Sequence, residues 1–284
     1  MSIDQPRRDA LSMTNNETGM RVGVFDSGLG GLSVLVKALD ILPDEKFLYY
    51  ADTDHVPYGD KTKEHIIKYV DEAASYMIDA GCKALVIACN TATSVGVDFL
   101  RDKYDFIPII GIEPAVKPAV LNYSGGKRVL VVATPVTING KKLGKLIKEF
   151  DPEGIIDKLA LPGLVNFAEN GIFDPKDVIP YLQEEFKDLD LGNYGVLVLG
   201  CTHFPFFKDS FKSLMPGAKI IDGAKGSSNY LKTRMGEEGL LAHVKGEYDK
   251  EDPRVVFVES GRRVSDKAEI DRLEGLLQRL RDLD

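Results

Sequence analysis

Short uninterrupted runs of apolar residues alternate, from residue 21 to the end of the chain, with longer stretches in which apolar residues recur at helical spacing. Runs of four or five apolar residues are typical of strands buried on both faces, and a 3.6-residue repeat indicates helices packed on such a sheet. The runs predict strands near 21–25, 46–51, 84–88, 108–112, 128–133, 156–160, 195–200, 218–221 and 254–259. The periodic stretches predict helices over 31–41, 61–80, 93–103, 114–123, 137–149, 175–187, 205–214, 224–243 and 266–282. This alternation predicts an α/β protein with doubly wound sheets.

Two of the predicted strands end in closely similar segments. Residues 84–91 read ALVIACNT and residues 196–203 read VLVLGCTH, each an apolar run followed by a small residue, a cysteine and hydrogen-bonding side chains. Residues 21–27 (RVGVFDS) and 128–134 (RVLVVAT) form a second pair, which leads from a strand into a polar turn. All α/β strands resemble one another to some degree, but two pairs in the same order favour a duplication. We therefore expect two pseudo-symmetric α/β domains with the active site in the cleft between them.

The repeat also suggests where the domains divide. We expect a second domain over 114–223 and a discontinuous first domain made of 21–113 together with 224–284, because the C-terminal segment has no cysteine strand of its own. Residues 1–20 are polar and lack an apolar core, which predicts a disordered extension rather than a signal peptide.

Composition narrows the classes of partner. The chain of 284 residues has 36 basic and 44 acidic residues, a net charge of −8, which argues against nucleic acid or an anionic membrane as partner. No apolar run approaches the roughly 20 residues that a membrane helix needs. Three cysteines, few and odd in number, fit a reducing cytoplasm better than a disulfide framework. A small anionic substrate is still compatible, because helix N-termini and single cations offset charge locally.

Cys89 and Cys201 occupy the matched strand ends, which is where open α/β sheets bind their ligands. A lone buried cysteine is usually an inert small hydrophobe, and Cys82 is interpreted in that way. Two cysteines at equivalent strand ends instead predict paired thiol chemistry. A free thiol is only about 3% ionised at neutral pH, and a helix dipole shifts its pKa by about one unit. The thiols therefore need a proton acceptor, for which Asp26 and His203 are candidates, or the charge of a substrate ammonium group.

A glycine-rich turn, Asp26 to Ser33 (DSGLGGLS), follows the first strand. Its glycines match neither the G-x-G-x-x-G pattern nor a P-loop, so nucleotide binding is a poor interpretation. They would let backbone N–H groups approach a small anion at the start of a helix. Asp26 at the strand end could accept a proton or bind an ammonium group, or it could simply cap the following helix.

Several functions are compatible with two thiols at one cleft. A thiolate can remove an α-proton while a thiol protonates the opposite face, which inverts a stereocentre. A cysteine hydrolase would use one thiol with His203 and an acid such as Asp26, and would leave the second matched cysteine without a role. A zinc site made of Cys89, Cys201 and His203 lacks the usual ligand spacing, and a periplasmic-type binding protein would need a signal peptide. Stereoinversion is the favoured hypothesis.

At these residues the chain resembles the aspartate/glutamate racemase family. The matching segments are Asp26-Ser27-Gly28 with Gly30-Gly31, Tyr50-Ala51-Asp52 through Pro57-Tyr58-Gly59, Cys89-Asn90-Thr91-Ala92, Gly111-Ile112-Glu113-Pro114-Ala115 and Gly200-Cys201-Thr202-His203. They follow the family's order over about residues 21–205. The histidine after Cys201-Thr202 favours the glutamate branch over the aspartate branch, although one methylene is worth only ~1–3 kcal/mol of discrimination.

The resemblance implies a cofactor-independent enzyme that interconverts L- and D-glutamate and supplies D-glutamate for peptidoglycan. It implies that Cys89 and Cys201 are the acid–base catalysts, assisted by Asp26, His203 and a glutamate that we place at Glu169. The implied substrate-binding residues are Asp26, Ser27, Tyr58, Gly59, Asn90, Thr91, Thr202 and His203. It further implies a cytoplasmic homodimer with no metal, nucleic acid or membrane partner.

One segment departs from the family's pattern. Where many members have Asp-Ser-Gly near the end of the second half, this chain has Asp222-Gly223-Ala224-Lys225-Gly226. The departure leaves no serine to act there and touches neither cysteine motif.

Overall fold

Two β-sheets organise the chain, in a computed structural model that describes residues 20–121, 126–242, 248 and 252–284. The strands are β1 (Arg21–Asp26), β2 (Lys46–Ala51), β3 (Cys82–Ile87), β4 (Ile109–Gly111), β5 (Arg128–Ala133), β6 (Ile156–Ala160), β7 (Tyr194–Leu199), β8 (Lys219–Asp222), β9 (Val255–Glu259) and β10 (Arg262–Arg263). The helices are α1 (Leu32–Ile41), α2 (Lys63–Asp79), α3 (Asn90–Lys103), α4 (Val116–Leu121), α5 (Pro135–Ile138), α6 (Lys141–Phe150), α7 (Gly163–Glu169), α8 (Pro175–Glu185), α9 (Lys208–Leu214), α10 (Ala224–Glu237) and α11 (Lys267–Asp282). Short 3₁₀ helices cover Tyr58–Asp60, Leu191–Asn193 and Phe204–Phe207.

The two sheets repeat one topology. Four parallel strands of the first sheet lie in the order β2-β1-β3-β4, and the second sheet has the order β6-β5-β7-β8. Even an irregularity is repeated, because the register between β1 and β3 shifts after Arg21 and the register between β5 and β7 shifts after Arg128. The predicted fold class of two pseudo-symmetric doubly wound α/β domains is confirmed.

The end of the chain returns to the first sheet. Strand β9 pairs in parallel with β2, and β10 folds back antiparallel on β9 at the edge opposite β4. Helix α10 packs against α1, with Leu231 and Met235 fully buried in the same core as Leu32 and Leu35. These contacts support placing the C-terminal segment with the first domain, while the domain boundaries themselves stay a prediction. No helix among the described residues is both long enough and apolar enough to cross a membrane.

All nine predicted strands are present within two residues, and most helices agree as well. The helix predicted over 137–149 is two helices, because Gly140 is extended and begins a new one. The helix predicted over 224–243 ends at Glu237, since the chain turns at Gly239 with a φ of 68°.

Helix α7, strand β10 and the 3₁₀ helices Tyr58–Asp60 and Leu191–Asn193 were not predicted. Helix α7 was missed because Pro162 and Gly163 are typical of a turn, whereas Pro162 in fact adopts helical angles (φ −62°, ψ −33°) and starts the helix. The helix predicted over 205–214 begins as a 3₁₀ helix, and the two-residue strand β10 was also missed. Positions 1–19, 122–123 and 243, which the predictions also cover, lie outside the described residues.

Candidate active site

A pocket lies where the carboxyl ends of β1 and β3 meet those of β5 and β7. In sheets with this strand order, ligands bind at that edge because neighbouring connections leave in opposite directions. Cys89, which follows β3, and Cys201, which follows β7, both line the pocket. The described polar residues that line it include neither lysine nor arginine, and they are Ser27, Asp60, Asn90, Thr91, Thr134, Asn166, Thr202 and His203.

Cys89 is the N-cap residue of α3. Its backbone is extended (φ −65°, ψ 119°), and its Sγ accepts the Ala92 N–H at 3.4 Å while the thiol points to Ser27 Oγ at 3.6 Å. Burial, and then the charge of Asp26, raises the pKa of Cys89 to about 12. Cys89 is therefore a thiol near neutral pH, in agreement with the expectation that it cannot act as a base unaided.

Cys201 stands at one end of a row that continues through His203 to Glu169. His203 Nδ1 is 3.8 Å from Cys201 Sγ, and His203 Nε2 is 2.5 Å from Glu169 Oε1. The row is held in place because a 3₁₀ helix, Phe204–Phe207, whose three phenylalanines are fully buried, begins directly after His203.

The charges in this row follow from its burial and its contacts. Burial alone would lower the pKa of His203, but its contacts with Cys201 and Glu169 raise that pKa well above 6.5. Burial acts to raise the pKa of Glu169, and the hydrogen bond with His203 outweighs this and lowers it. When His203 is protonated, its Nε2–H donates to the Glu169 carboxylate and its Nδ1–H faces the Cys201 sulfur.

Asp26, the last residue of β1, is completely buried. Its Oδ1 accepts the Thr202 hydroxyl at 3.0 Å and its Oδ2 accepts the Gly28 N–H at 3.2 Å. Burial raises the pKa of Asp26 to about 6, although the charge of His203 opposes the rise. A carboxyl group with a pKa near neutrality can both take up and release a proton. The alternative that Asp26 caps the next helix is wrong, because the N-cap of α1 is Gly31 and receives no side-chain bond.

The glycine-rich turn after β1 admits side chains of the other domain. A β-carbon at Gly28 would collide with the Glu169 carboxylate, and one at Gly30 would lie 2.7 Å from His203 Cε1. The Leu29 N–H donates to Glu169 Oε1 at 2.8 Å. An anion approaches one backbone N–H group of this turn, and it is the protein's own Glu169 carboxylate.

The remaining predicted binding residues lie at the same pocket. Tyr58 and Gly59 line it, but the Tyr58 hydroxyl donates to Asp52 Oδ2 at 2.6 Å and is already committed there. Asn90 and Thr91 line it from the first turn of α3. Asn90 Oδ1 is buried and has no hydrogen-bond partner within the described ranges. A buried acceptor without a partner at a pocket wall indicates that a ligand supplies the donor.

Thr134 was not predicted as a site residue. It follows β5, lines the pocket and caps α5, and its Oγ1 is 2.9 Å from Thr91 Oγ1 and 3.1 Å from Thr137 Oγ1. Thr134 holds the place in the second domain that Ser27 holds in the first. The internal repeat between residues 21–27 and 128–134 therefore carried the signal for this residue.

Comparison with known proteins identifies the family to which this chain belongs. The model of the Asp/Glu/hydantoin racemase family matches residues 39–226. The glutamate racemase of Lachnospira eligens is 48% identical over 264 residues, which cover 92% of this chain and 98% of that protein. The protein is accordingly an amino-acid racemase, an isomerase. The chain belongs to the Asp/Glu/hydantoin racemase family.

Solved structures agree with this assignment. The glutamate racemase of Francisella tularensis in complex with D-glutamate has a TM-score of 0.75 at 29% identity, covering 92% of this chain and 94% of that chain. The Escherichia coli glutamate racemase in complex with L-glutamate and the activator UDP-MurNAc-Ala has a TM-score of 0.72 at 26% identity, with 92% and 95% covered.

Proposed function

We propose that this racemase interconverts L-glutamate and D-glutamate by a two-base mechanism, with Cys89 and Cys201 acting on opposite faces of the α-carbon. The observation that carries the proposal is that each domain brings one buried thiol, from equivalent strand ends, to a single pocket. One thiolate removes the α-proton, and the electron pair of the C–H bond delocalises into the α-carboxylate. The other thiol then delivers a proton to the opposite face. This proton balance requires no cofactor, and the reverse reaction exchanges the two roles.

The two thiols have different assistants. Asp26 assists Cys89, because a carboxyl group with a pKa of about 6 can exchange protons near neutral pH. His203, held by Glu169, assists Cys201 through the Nδ1–H that faces the sulfur. The ammonium group of the substrate makes each thiolate less costly, since opposite charges within a few ångströms favour the ionised form.

Glutamate is supported as the substrate by the relatives and by the character of the pocket. Structures of relatives contain D-glutamate or L-glutamate, and their fold covers nearly all of this chain. In a pocket whose described lining lacks lysine and arginine, the substrate carboxylates are received by hydroxyl groups and by backbone N–H groups at helix N-termini. Asn90 Oδ1 accepts a hydrogen bond from the substrate ammonium group. The proposed binding residues Ser27, Tyr58, Gly59, Asn90, Thr91, Thr202 and His203, with Thr134 added, line the pocket. Asp26 does not line it and contributes through the hydroxyl of Thr202, which it accepts.

The cellular setting follows from the same resemblance. The enzyme works in the cytoplasm as a homodimer and supplies D-glutamate for peptidoglycan and hence for cell-wall biogenesis and cell shape. The three free and buried cysteines fit a reducing compartment.

Polarimetry with L-glutamate and L-aspartate side by side tests the substrate. We expect loss of optical rotation with glutamate and little change with aspartate, and the opposite result would establish an aspartate racemase. In deuterium oxide, the product should carry deuterium on its α-carbon, as read by proton NMR. Retention of the α-hydrogen through many turnovers would exclude the two-base scheme.

Single substitutions test the role of each thiol. Cys89→Ala and Cys201→Ala should each abolish racemisation, whereas Cys82→Ala, at the far end of β3, should retain it. A cysteine hydrolase would tolerate the loss of one pocket thiol and would release a hydrolysis product. Racemisation that survives in either pocket variant would contradict the mechanism.

A further inference from the structure

We infer that Ser260, in the hairpin between β9 and β10, positions the Tyr58–Gly59 wall of the pocket by holding Asp52. The inference rests on the proposed function, because it takes this wall to be part of the substrate site. Ser260 lies 208 residues beyond Asp52 in the chain and does not line the pocket. It is a positioning residue that acts through two intervening side chains.

Asp52 is the junction between the pocket wall and the first sheet. It follows β2 directly and is 3% exposed. Its Oδ2 accepts the Tyr58 hydroxyl at 2.6 Å, its Oδ1 is 2.8 Å from His55 Nδ1, and its N–H donates to the Asp26 carbonyl at 3.0 Å. The position of the Asp52 carboxylate therefore sets where Tyr58 lies relative to the end of β1.

Ser260 supplies the contact from the C-terminal segment. Its hydroxyl donates to Asp52 Oδ1 at 3.0 Å and accepts the Asp54 N–H at 3.0 Å, and its own N–H donates to the Ala51 carbonyl at 2.8 Å. One hydroxyl thus fixes both the carboxylate of Asp52 and the backbone two residues further along. The segment from Asp52 to Asp54, which leads to Tyr58, is therefore bonded to Ser260 on one side and to the end of β1 on the other.

The backbone of Ser260 disfavours a serine. Its φ is 42°, and within the described ranges it is the only residue other than glycine with a positive φ. Hairpin turns with positive φ at successive positions, here Ser260 and Gly261 (φ 81°), prefer asparagine, aspartate or glycine at the first position. Strained residues of this kind persist where surrounding contacts require them, and cluster at functional sites. Glycine would suit this backbone conformation, but it could not make the two hydrogen bonds of the Ser260 hydroxyl.

The pocket wall is packed on the first domain and faces the second across the cleft. Tyr58 is 1% exposed, and its ring centroid lies 6.1 Å from that of Phe25. Across the cleft, Gly59 leaves room for a β-carbon, which would lie in ordinary contact, 3.5 Å, with Thr134 Cβ of the second domain. A small displacement of the Asp52 carboxylate is therefore passed to the surface that faces the ligand.

Three substitutions of Ser260 separate this role from a contribution to stability. Ser260→Gly removes the hydroxyl but suits a positive φ, and Ser260→Thr keeps the hydroxyl but places a β-branched residue at that φ. Ser260→Ala removes the hydroxyl and keeps the strain. We expect stability in urea to be highest for the glycine variant and lowest for the threonine variant.

The expected order of activity is the opposite. The glycine and alanine variants should raise the KM for glutamate by about three- to tenfold, with a smaller change in kcat, because His55 still bonds Asp52. The threonine variant should stay near the wild-type KM. Activity that follows stability, or a wild-type KM in both variants that lack the hydroxyl, would overturn the inference.

A control and a double substitution complete the test. Arg262→Ala removes the bidentate ion pair of the same hairpin with Asp54, 2.7 Å at each contact, and should leave the KM unchanged. Tyr58→Phe cuts the same chain of contacts, so adding Ser260→Ala to it should raise the KM no further. Additive effects would show that Ser260 does not act through Tyr58.

Hydrogen exchange tests whether Ser260 holds the pocket wall without measuring racemisation. Backbone amides of residues 58–60 should exchange faster in Ser260→Ala than in the wild type and in Arg262→Ala. If the wild type fails to racemise glutamate, the proposed function is wrong but the exchange result still decides whether Ser260 holds the wall. Unchanged exchange in Ser260→Ala would refute the positioning role.

Discussion

Replacing Gly30 by alanine should disable catalysis without altering any group that has been assigned a chemical role. The φ of Gly30 is not positive, so the backbone accepts alanine and the cost lies in space alone. The new β-carbon would lie 2.5 Å from Thr202 Oγ1 and 2.7 Å from His203 Cε1, with His203 Nδ1 closer still. Ordinary van der Waals contact begins near 3.4 Å, so the imidazole ring has to move by about 0.7 Å or more.

His203 cannot move aside freely. It is 1% exposed, and its two ring nitrogens face Cys201 and Glu169. Overpacking of this kind costs about 1–3 kcal/mol of unfolding free energy. A displacement of about 1 Å at a reacting group costs on the order of a hundredfold in rate. We therefore expect Gly30→Ala to fold, to lose stability in that range and to lose about two orders of magnitude in kcat/KM.

The assay is racemisation of either glutamate enantiomer, followed by circular dichroism, together with urea denaturation. Gly144→Ala in α6 and Gly226→Ala in α10 are matched controls, because nothing lies within 4 Å of the methyl group that each would add. Both should keep full activity and gain roughly 0.5–1 kcal/mol, since alanine favours a helix over glycine. Wild-type kcat/KM in Gly30→Ala would refute the argument that this turn must pass so close to His203.

For three further substitutions, the direction of the expected change in stability or pKa follows from the burial of the group concerned. Burial raises the pKa of Asp26 from 3.8 to about 6, so its ionisation opposes folding by on the order of 3 kcal/mol. Wild type should lose that stability relative to Asp26→Asn as the pH rises from 4 to 7 in urea titrations, and an equal difference at both pH values would contradict this. The His203 imidazolium stabilises the fold fully below pH 6.5, and this is lost as the pH rises through its raised pKa. Glu169→Gln should lower that pKa in an NMR titration of the ring, and an unchanged value would remove Glu169 as its partner. Lys83→Met should lower the free energy of unfolding by about 3–5 kcal/mol in urea denaturation, because it removes the ammonium group 2.8 Å from the buried Glu45 carboxylate. A loss below about 1 kcal/mol would show that the ion pair is dispensable.

The parts of the site that were predictable lie at strand ends. A buried parallel strand shows itself as an apolar run, and the residue where the run stops lies at the ligand-binding edge. The sequence alone therefore predicted that Asp26, Cys89 and Cys201 lie near one another. The contact between Cys201 and His203 could also be predicted, because the two are only two residues apart in the chain. The chemistry of the thiols, in contrast, had to be argued from general thiol acidity.

The parts that were not predictable depend on contacts between distant segments. Glu169 was assigned from a loose match, because the proline and glycine that begin its helix are typical of a turn. Asp26 is buried and accepts the hydroxyl of Thr202, a contact between residues 176 positions apart in the chain. Ser260 reaches Asp52 only because β9 pairs with β2, and no periodicity in the sequence indicates which strands become neighbours.

The unlike surroundings of the two pocket thiols have a consequence for kinetics. Cys201 faces an imidazolium held by a carboxylate, whereas Cys89 faces a serine hydroxyl near a carboxyl group. Mirror-image amino acids have equal free energies in water, so the Haldane relation makes kcat/KM the same in both directions however unequal the two thiols are. The asymmetry can therefore make kcat differ between the two directions only if KM differs by the same factor. It thereby sets which enantiomer saturates the enzyme first, while the final mixture stays racemic.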